Sequence, residues 1–324
     1  ERFAGGQLAL DPDAGMAAIR EHVAQPLGLG VTEAAWGIHT VANATMERAM
    51  RSMSIERGRD PRDYALVAFG GAGPLHACRL ARSLGVAEVV VPYGAGVGSA
   101  VGMLEAVPRF EASVTRILPL DDSPATRDGV EQLFGELEAR CQQVMGGERP
   151  DRWRRYANVR YQGQGYELRV EVPFGPSENG FVEALREAFL AAYTASYGYA
   201  EPDKPLEATE WALSAELAAV GPPATGSERL EPYGRQLSDV TTADTPGAKR
   251  SQRAYFPEVS DTPLDCPIYE RHEVARLSQG LSGGLSGPAI VADDEATTLI
   301  PPGDLAHIDG HGDLVIRIAA GEEA

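Results

Sequence analysis

Cysteine is scarce in this chain. Its 324 residues contain three, Cys78, Cys141 and Cys266, and these lie far apart in the sequence. None belongs to a Cys-x-x-Cys pair or to a cluster with histidine, so the spacing disfavours a structural zinc site and a disulfide framework. Unpaired thiols are typical of a reducing compartment, and the sequence therefore predicts a cytoplasmic location.

Long hydrophobic runs and excess positive charge are also missing. No apolar stretch reaches the roughly 18 residues of a membrane-spanning helix, and no charged segment followed by an apolar one marks a secretion signal. The net charge of −18 argues against a nucleic-acid partner, because the phosphates would be repelled. We therefore expect a globular protein with a normal core and with neither a membrane nor a nucleic acid as partner.

The common nucleotide-binding motifs are absent as well. The chain has no Gly-x-x-x-x-Gly-Lys-Ser/Thr segment, which excludes a P-loop NTPase. Two glycine-rich segments, 70–73 and 94–102, miss the spacing of Gly-x-Gly-x-x-Gly. In neither case does an acidic residue about 20 positions later close a strand, as dinucleotide binding requires. No catalytic triad can be argued from the sequence, so the catalytic residues stay unassigned.

Residues 30–106 alternate between helical and strand patterns. Apolar residues three or four apart predict a helix from Thr32 to a stop at Gly58. Short apolar runs predict buried strands over 64–69 and 86–91. Pro74 suits the first turn of the helix between those strands, Gly85 suits its end, and a third helix follows over 94–106. This order predicts an α/β layer.

The pattern changes beyond residue 120. The features are a helix opened by Ser123-Pro124, a hairpin around Gly163-Gln164-Gly165, a helix over 181–197, an alternating strand over 211–219, a loop or linker near 221–250, and short strands from Ala254. The sequence therefore predicts two domains, an α/β domain over 1–120 and a mixed, β-rich α+β domain over 121–324.

The junction Gly70-Gly71-Ala72-Gly73-Pro74 joins the first predicted strand to its helix. Glycine has no Cβ, so a flat ligand such as a purine could lie directly on this backbone. The same glycines could instead serve only to pack the strand tightly against the helix. The residues alone leave both interpretations open.

Several segments closely resemble the hydantoinase A/5-oxoprolinase family, which includes N-methylhydantoinase A and acetone carboxylase beta-type subunits. They are 41–104, RYQGQGYELRV, YTASYGY and GPAIVADDEATTLIPPG. The resemblance covers nearly the whole chain and is to the C-terminal half of the family's proteins. It implies the ribonuclease H-like fold of actin, Hsp70 and sugar kinases, with residues 1–120 as the second half of a nucleotide-binding domain. Residues 121–324 would be the family's C-terminal β-rich domain.

In that superfamily a strand, two glycines and a helix form the adenosine site. The resemblance therefore implies that residues 70–73 line the adenine and ribose, with Pro74 starting the helix behind them. The opposite wall would come from Met50, Arg51 and Ser54. The implied cofactors are ATP and magnesium. The family's Asp-Gly-Gly-Thr loop for metal and phosphates is not found, so the metal ligands are expected outside this chain.

The resemblance implies the C-terminal portion of an ATP-dependent cyclic-amide hydrolase subunit in a hetero-oligomer. ATP would activate a ring carbonyl, and a hydantoinase B-type subunit and the missing N-terminal half would complete the enzyme. The isolated chain is then expected to be inactive. The alternatives are a subunit of an ATP-dependent acetone- or acetophenone-type carboxylase, and a non-catalytic structural module that binds a B-type subunit.

Two further features carry open interpretations. His76 lies in the helix after Pro74, either as a polar contact near the nucleotide or a subunit interface, or as a histidine satisfied by local backbone. The acidic run Asp293-Asp294-Glu295 could hold magnesium, but such runs are usually solvated turns, and we expect a solvated turn here.

Overall fold

A computed structural model describes residues 2–3, 8–55, 58–121, 123–172, 180–217, 248, 250–279 and 283–319. A short π-helical segment, Arg20–Ala24, joins the first two helices. The α-helices are α1 (Pro12–Ile19), α2 (Gln25–Leu27), α3 (Val31–Ile55), α4 (Gly73–Leu84), α5 (Gly98–Glu105), α6 (Pro124–Val144), α7 (Phe181–Tyr197) and α8 (Arg271–Gln279).

The strands of the described residues form four sheets, ordered β1-β2, β13-β12-β10-β9, β11-β14-β15-β4-β3 and β5-β8-β6-β7. Their bounds are β1 (Arg2–Phe3), β2 (Leu8–Ala9), β3 (Leu66–Val67), β4 (Glu88–Val91), β5 (Arg109–Pro119), β6 (Arg152–Tyr161), β7 (Leu168–Val172), β8 (Leu206–Glu216), β9 (Arg250–Ala254), β10 (Leu264–Glu270), β11 (Leu285–Ser286), β12 (Ala289–Ala292), β13 (Thr297–Ile300), β14 (Leu305–Ile308) and β15 (Leu314–Arg317).

The described residues form two compact units. Unit 1 contains residues 2–104 together with 248–319, and unit 2 contains residues 105–217. These units do not coincide with the contiguous segments 1–120 and 121–324 expected from the sequence. The reason is that the last strands of the chain return to unit 1 and complete its sheet. The expected linker near 221–250 lies almost entirely outside the described residues.

The five-stranded sheet of unit 1 combines both parts of the chain. Strands β3 and β4 run parallel, as the α/β pattern predicts, and β15 pairs antiparallel with β4, with Leu314 opposite Val91. Val89, Val91, Leu314 and Ile316 are fully buried in one core. Burial of these β-branched and leucine side chains is what attaches the C-terminal strands to the earlier layer.

The predicted helices of unit 1 are confirmed. Helix α4 has Pro74 in its first turn and ends at Gly85, whose φ of 72° is left-handed. Gly58 has a φ of 69° just beyond α3. The strand expected over 64–69 is shorter than predicted, and it is an edge strand of the described sheet. Phe69, just after it, is 59% exposed instead of buried.

Unit 2 is an antiparallel sheet with helices α6 and α7 packed on it. Its core centres on Trp211, whose ring meets Phe134 of α6 edge-to-face. The Ser123 hydroxyl accepts a hydrogen bond from the Thr126 amide, so it caps α6 as expected. The predicted hairpin is formed by β6 and β7. The spacing of the apolar residues after Ser123 predicts that Val144 points inward, but Val144 is 69% exposed because α6 ends there.

None of the helices in the described ranges combines the length and the apolar character needed to cross a bilayer.

Candidate functional site

The glycine junction of unit 1 connects β3 to α4. Gly70 has a left-handed φ of 85°, which glycine adopts without strain. Its amide donates a hydrogen bond to the Ala95 carbonyl at 2.7 Å. This bond ties the junction to the second glycine-rich segment, 94–98. Helix α4 then begins after Ala72 without a side-chain cap.

A tight turn over residues 293–296, between β12 and β13, lies against both glycine-rich segments. A Cβ built on Gly71 would be 3.2 Å from the Glu295 carbonyl oxygen, and a Cβ on Gly96 would be 2.3 Å from it. These two glycines therefore permit a close approach of the chain's own backbone. At Gly71 this observation favours the packing interpretation over a ligand slot.

The other glycines of the junction are different. A Cβ at Gly70 or at Gly73 would have no heavy atom within 4 Å. Ala72 is exposed, and Pro74 is buried behind the start of α4. The backbone beside Gly70 and Gly73 is therefore open to a ligand, whereas the side at Gly71 is covered.

The turn over 293–296 is anchored by a buried ion pair. The Arg271 guanidinium donates to both Asp293 carboxylate oxygens, at 2.8 to 3.1 Å. Its Nη1 nitrogen donates to the carbonyls of Val91 and Gly312. The two side chains are only 8% and 16% exposed. The expectation of a solvated acidic run is therefore wrong for Asp293, although Asp294 is exposed.

Met50 and Ser54 lie one turn apart on α3, and both line a cavity of about 390 Å³. The Ser54 hydroxyl donates to the Met50 carbonyl at 2.8 Å, and Met50 also contacts the core of unit 1. The lining is Ala49, Met50, Met53, Ser54, Arg59 and Tyr64. Residues 70–74 do not line this cavity, so the structure does not bring the two predicted walls together in it.

A second cavity, of about 590 Å³, lies between the ends of α3 and α4 and has arginines in its lining. Arg51 is held by Glu47 and by the Ser83 carbonyl, and Arg62 is paired with Asp60. Arg82 is paired with the fully buried Asp304. Arg51 therefore links α3 to the end of α4 and does not face the glycine junction.

His76 is satisfied by a side chain of α3 and not by local backbone. Its Nδ1 donates to Asn43 Oδ1 at 2.7 Å, and Asn43 Nδ2 donates to His39 Nε2 at 2.9 Å. The two imidazoles are stacked, with centroids 4.7 Å apart. Sequence reasoning missed Asn43 and His39, although their four-residue spacing places them on the same helix face.

Neither thiol chemistry nor a metal site is found in the described part of the chain. Burial raises the pKa of Cys78 to about 12 and that of Cys266 to about 11, and it also raises the pKa of Cys141. All three thiols are buried and free, so none can act as a thiolate nucleophile at neutral pH. Among the described residues, no three histidine, cysteine or acidic side chains group closely enough to hold a metal ion.

Comparison with known proteins gives consistent results. Residues 1–112 match the family model of hydantoinase/oxoprolinase proteins. The chain is 31% identical over 312 residues to the caprolactamase subunit alpha of Pseudomonas jessenii, covering 94% of this chain and 42% of that protein. It is 26% identical over 330 residues to the acetone carboxylase beta subunit of Xanthobacter autotrophicus, covering 96% and 43%.

A solved structure also matches. The crystal structure of the ATP-dependent caprolactamase from Pseudomonas jessenii is similar with a TM-score of 0.64 and 29% identity, over 98% of this chain and 44% of that one. The chain thus spans well under half the length of these relatives.

Proposed function

The chain is a member of the hydantoinase/oxoprolinase family, and on that premise we propose that it is the C-terminal portion of an A-type subunit of an ATP-dependent cyclic-amide hydrolase. The support is the similarity to a caprolactamase alpha subunit along nearly the whole chain. The relatives are more than twice as long, so we propose the activity for the complete protein. We also propose that the complete enzyme is a hetero-oligomer and that it is located in the cytoplasm.

The observation that carries the proposal is the open backbone at Gly70 and Gly73 beside the uncapped start of α4. Adenosine would lie on this open side, since the Glu295 carbonyl covers Gly71. Bound ATP would supply the phosphoryl group that makes an amide carbon electrophilic. This chain would orient the nucleoside, and magnesium would be held by ligands outside it.

The edge of the five-stranded sheet supports the actin-like arrangement that we propose for residues 1–104, the part of the expected segment 1–120 that belongs to unit 1. Strand β3 pairs only with β4 among the described residues. Val67 and Phe69 at this edge are 53% and 59% exposed. An unpaired parallel edge with apolar side chains is a surface that further strands would cover. We propose that the N-terminal half of the nucleotide-binding domain supplies them.

Gly73→Val tests the position of the nucleotide. A Cβ at Gly73 meets nothing within 4 Å, and its φ is not left-handed. Because Pro74 disfavours helical backbone in a branched residue before it, thermal unfolding is measured as well, to show that the fold is kept. A branched side chain there would occupy the space where adenosine must approach the backbone. We expect ATP affinity, measured by calorimetry on the full-length protein, to fall at least tenfold, which is about 1.4 kcal/mol.

Gly135→Val is the matched control, because Gly135 lies on the exposed face of α6 in unit 2 with open space around it. It should leave ATP affinity unchanged. Wild-type affinity in Gly73→Val, with an intact fold, would show that the nucleotide does not lie on this junction. The cavity at Met50 and Ser54 would then be the next position to test.

The isolated 324-residue chain is expected to show no sustained ATP-dependent ring opening. Phosphoryl transfer needs the metal, the phosphate clamp and the positioned nucleophile together. Among the described residues, no cluster of three histidine, cysteine or acidic side chains could hold a metal ion. The measurement is phosphate release from ATP and magnesium in the presence of hydantoin or 5-oxoproline. Turnover beyond one equivalent per chain would contradict the assignment as a portion of a larger enzyme.

A carboxylase subunit is the second candidate function, favoured by the 26% identity to an acetone carboxylase beta subunit along 96% of the chain. The complete complex distinguishes the two. ATP consumption dependent on acetone and bicarbonate, with none on cyclic amides, would establish the carboxylase. If the full-length protein binds no ATP at all, both ATP-dependent activities are contradicted, and the structural-module alternative is then tested by co-purification with a B-type subunit.

A further inference from the structure

Helix α3 of unit 1 is attached to its neighbours by few buried side chains. Of its 25 residues, Ala34 alone is classed as buried. Ile38, Val41, Met53 and Ile55 are 46–68% exposed. The specific polar and aromatic contacts between α3 and α4 therefore determine how firmly the helix is held.

The main specific contact is a group of three side chains, His39, Asn43 and His76, which we call the histidine clasp. Asn43 lies between the two rings and uses both ends of its amide, one toward each imidazole. The ring of His39 stacks on His76, with 15° between the planes, and also on Trp36 at 5.3 Å. The clasp thus joins α3 to the first turns of α4.

The amide fixes where the protons are. An amide oxygen only accepts and an amide nitrogen only donates, so His76 carries a proton on Nδ1 and His39 has none on Nε2. Protonation of His76 at Nε2 leaves both hydrogen bonds in place. When His39 is protonated at Nε2, this nitrogen and Asn43 Nδ2 are both donors, so the hydrogen bond between them is lost.

The surroundings oppose positive charge on both rings. Arg79 of α4 lies over the Trp36 ring at 4.3 Å and is paired with Glu258, which lies near Tyr255 in the segment that follows β9. Burial and then His76 and Arg79 lower the pKa of His39 from its ordinary 6.5, while Glu258 acts in the opposite direction. Burial lowers the pKa of His76.

We infer that the histidine clasp is a pH-sensitive contact between two helices. It holds α3 on α4 when both rings are neutral, and it releases α3 when His39 is protonated. Well above pH 6.5, near pH 8, both rings are neutral whether the chain is folded or unfolded. Below pH 6.5 the two histidines of the unfolded chain become protonated, whereas those of the folded clasp stay neutral to a lower pH. The free energy of unfolding therefore decreases as the pH falls through the folded-state pKa values. The inference does not depend on the proposed nucleotide site.

The decisive variant is Asn43→Asp, which keeps the shape of the side chain but offers two acceptors and no donor. A carboxylate favours the protonated form of both imidazoles and should raise their pKa values above 6.5. The sign of the pH dependence then reverses, because stability from the clasp is present at acid pH and is lost as the pH rises. His39→Phe is a second variant, which keeps an aromatic ring for stacking and removes the titration of His39, leaving that of His76.

The experiment measures the two histidine pKa values by NMR and the hydrogen exchange of α3 amides at pH 7.5 and 5.5, corrected for intrinsic exchange. In the wild type we expect both pKa values below 6.5 and faster exchange of α3 at pH 5.5, with α6 of unit 2 unchanged. Asn43→Asp should show the opposite trend, and His39→Phe a weaker trend of the wild-type sign, since His76 still titrates. His22→Gln, at an exposed position, should behave as wild type.

Wild-type pKa values at or above 6.5, or equal protection of α3 at both pH values, would overturn the inference. So would an Asn43→Asp profile that matches the wild type. If α3 forms one wall of the ATP site, ATP affinity should also fall at pH 5.5. Exchange data report on the clasp even if the chain proves not to bind ATP, so the two proposals can fail separately.

Discussion

Replacing Arg271 with methionine is expected to destabilise unit 1 by about 3–5 kcal/mol, because the change leaves the Asp293 carboxylate buried without its partner. Arg271 also donates to the carbonyls of Val91 and Gly312. Its loss therefore frees the turn over 293–296 and the ends of two sheet strands together. Hydrogen exchange resolved by peptide would show the loss in unit 1, with unit 2 retaining its protection.

The matched control is Arg62→Met, which removes an arginine from an exposed pair with Asp60, where the two side chains are 71% and 38% exposed. Exposed pairs contribute little, so unit 1 should keep its stability. The double variant Arg271→Met/Asp293→Leu should recover part of the loss, since it removes the unpaired charge. Equal stability of Arg271→Met and Arg62→Met would show that the buried pair does not anchor the turn.

Substituting Gly96 with alanine is expected to cost about 1–3 kcal/mol, the usual range for overpacking a close contact. The added methyl would lie 2.3 Å from both the Glu295 Cβ and its carbonyl oxygen, and a backbone contact cannot be relieved by a change of rotamer. Gly71→Ala meets the same oxygen at 3.2 Å and should have a smaller effect. Thermal unfolding of the variants provides the measurement.

Gly102→Ala is the control for this series, since Gly102 lies in α5 and has no neighbouring atom within 4 Å. Alanine favours the helix by up to about 1 kcal/mol over glycine, so this variant should be as stable as the wild type or more so. The expected order of stability is Gly102→Ala, then Gly71→Ala, then Gly96→Ala. An equally stable Gly96→Ala would mean that the turn does not lie on this glycine.

Local features of the fold follow from the sequence. The left-handed glycines after α3 and α4, Pro74 in the first turn of α4 and the Ser123 cap of α6 are signals that act within a few residues. For that reason the ends of these helices could be predicted closely. The expected burial of Val144 was wrong, because the spacing of apolar residues indicates which side of a helix is buried and not where the layer that covers it ends.

Features that depend on distant segments could not be predicted. The covering of Gly71 by Glu295 joins positions 224 residues apart, and no local pattern distinguishes a glycine under a carbonyl from a glycine under a purine. The same is true of Asp293, whose partner Arg271 lies on a different element. The sequence predicted that the glycine junction lies between a strand and a helix. Only the three-dimensional arrangement shows which of its faces is open.

The pairing of β4 with β15 has a consequence for synthesis on the ribosome. Val91 and its partner Leu314 are separated by 223 residues, and translation adds about 5–20 residues per second. Strand β4 therefore waits about 10–45 s for its neighbour to emerge. Unit 2 is encoded continuously within that interval and can complete its own sheet first. The layer built from β3 and β4 is thus completed only after unit 2 has emerged, and one edge of β4 stays without its neighbour in the nascent chain until β15 is made.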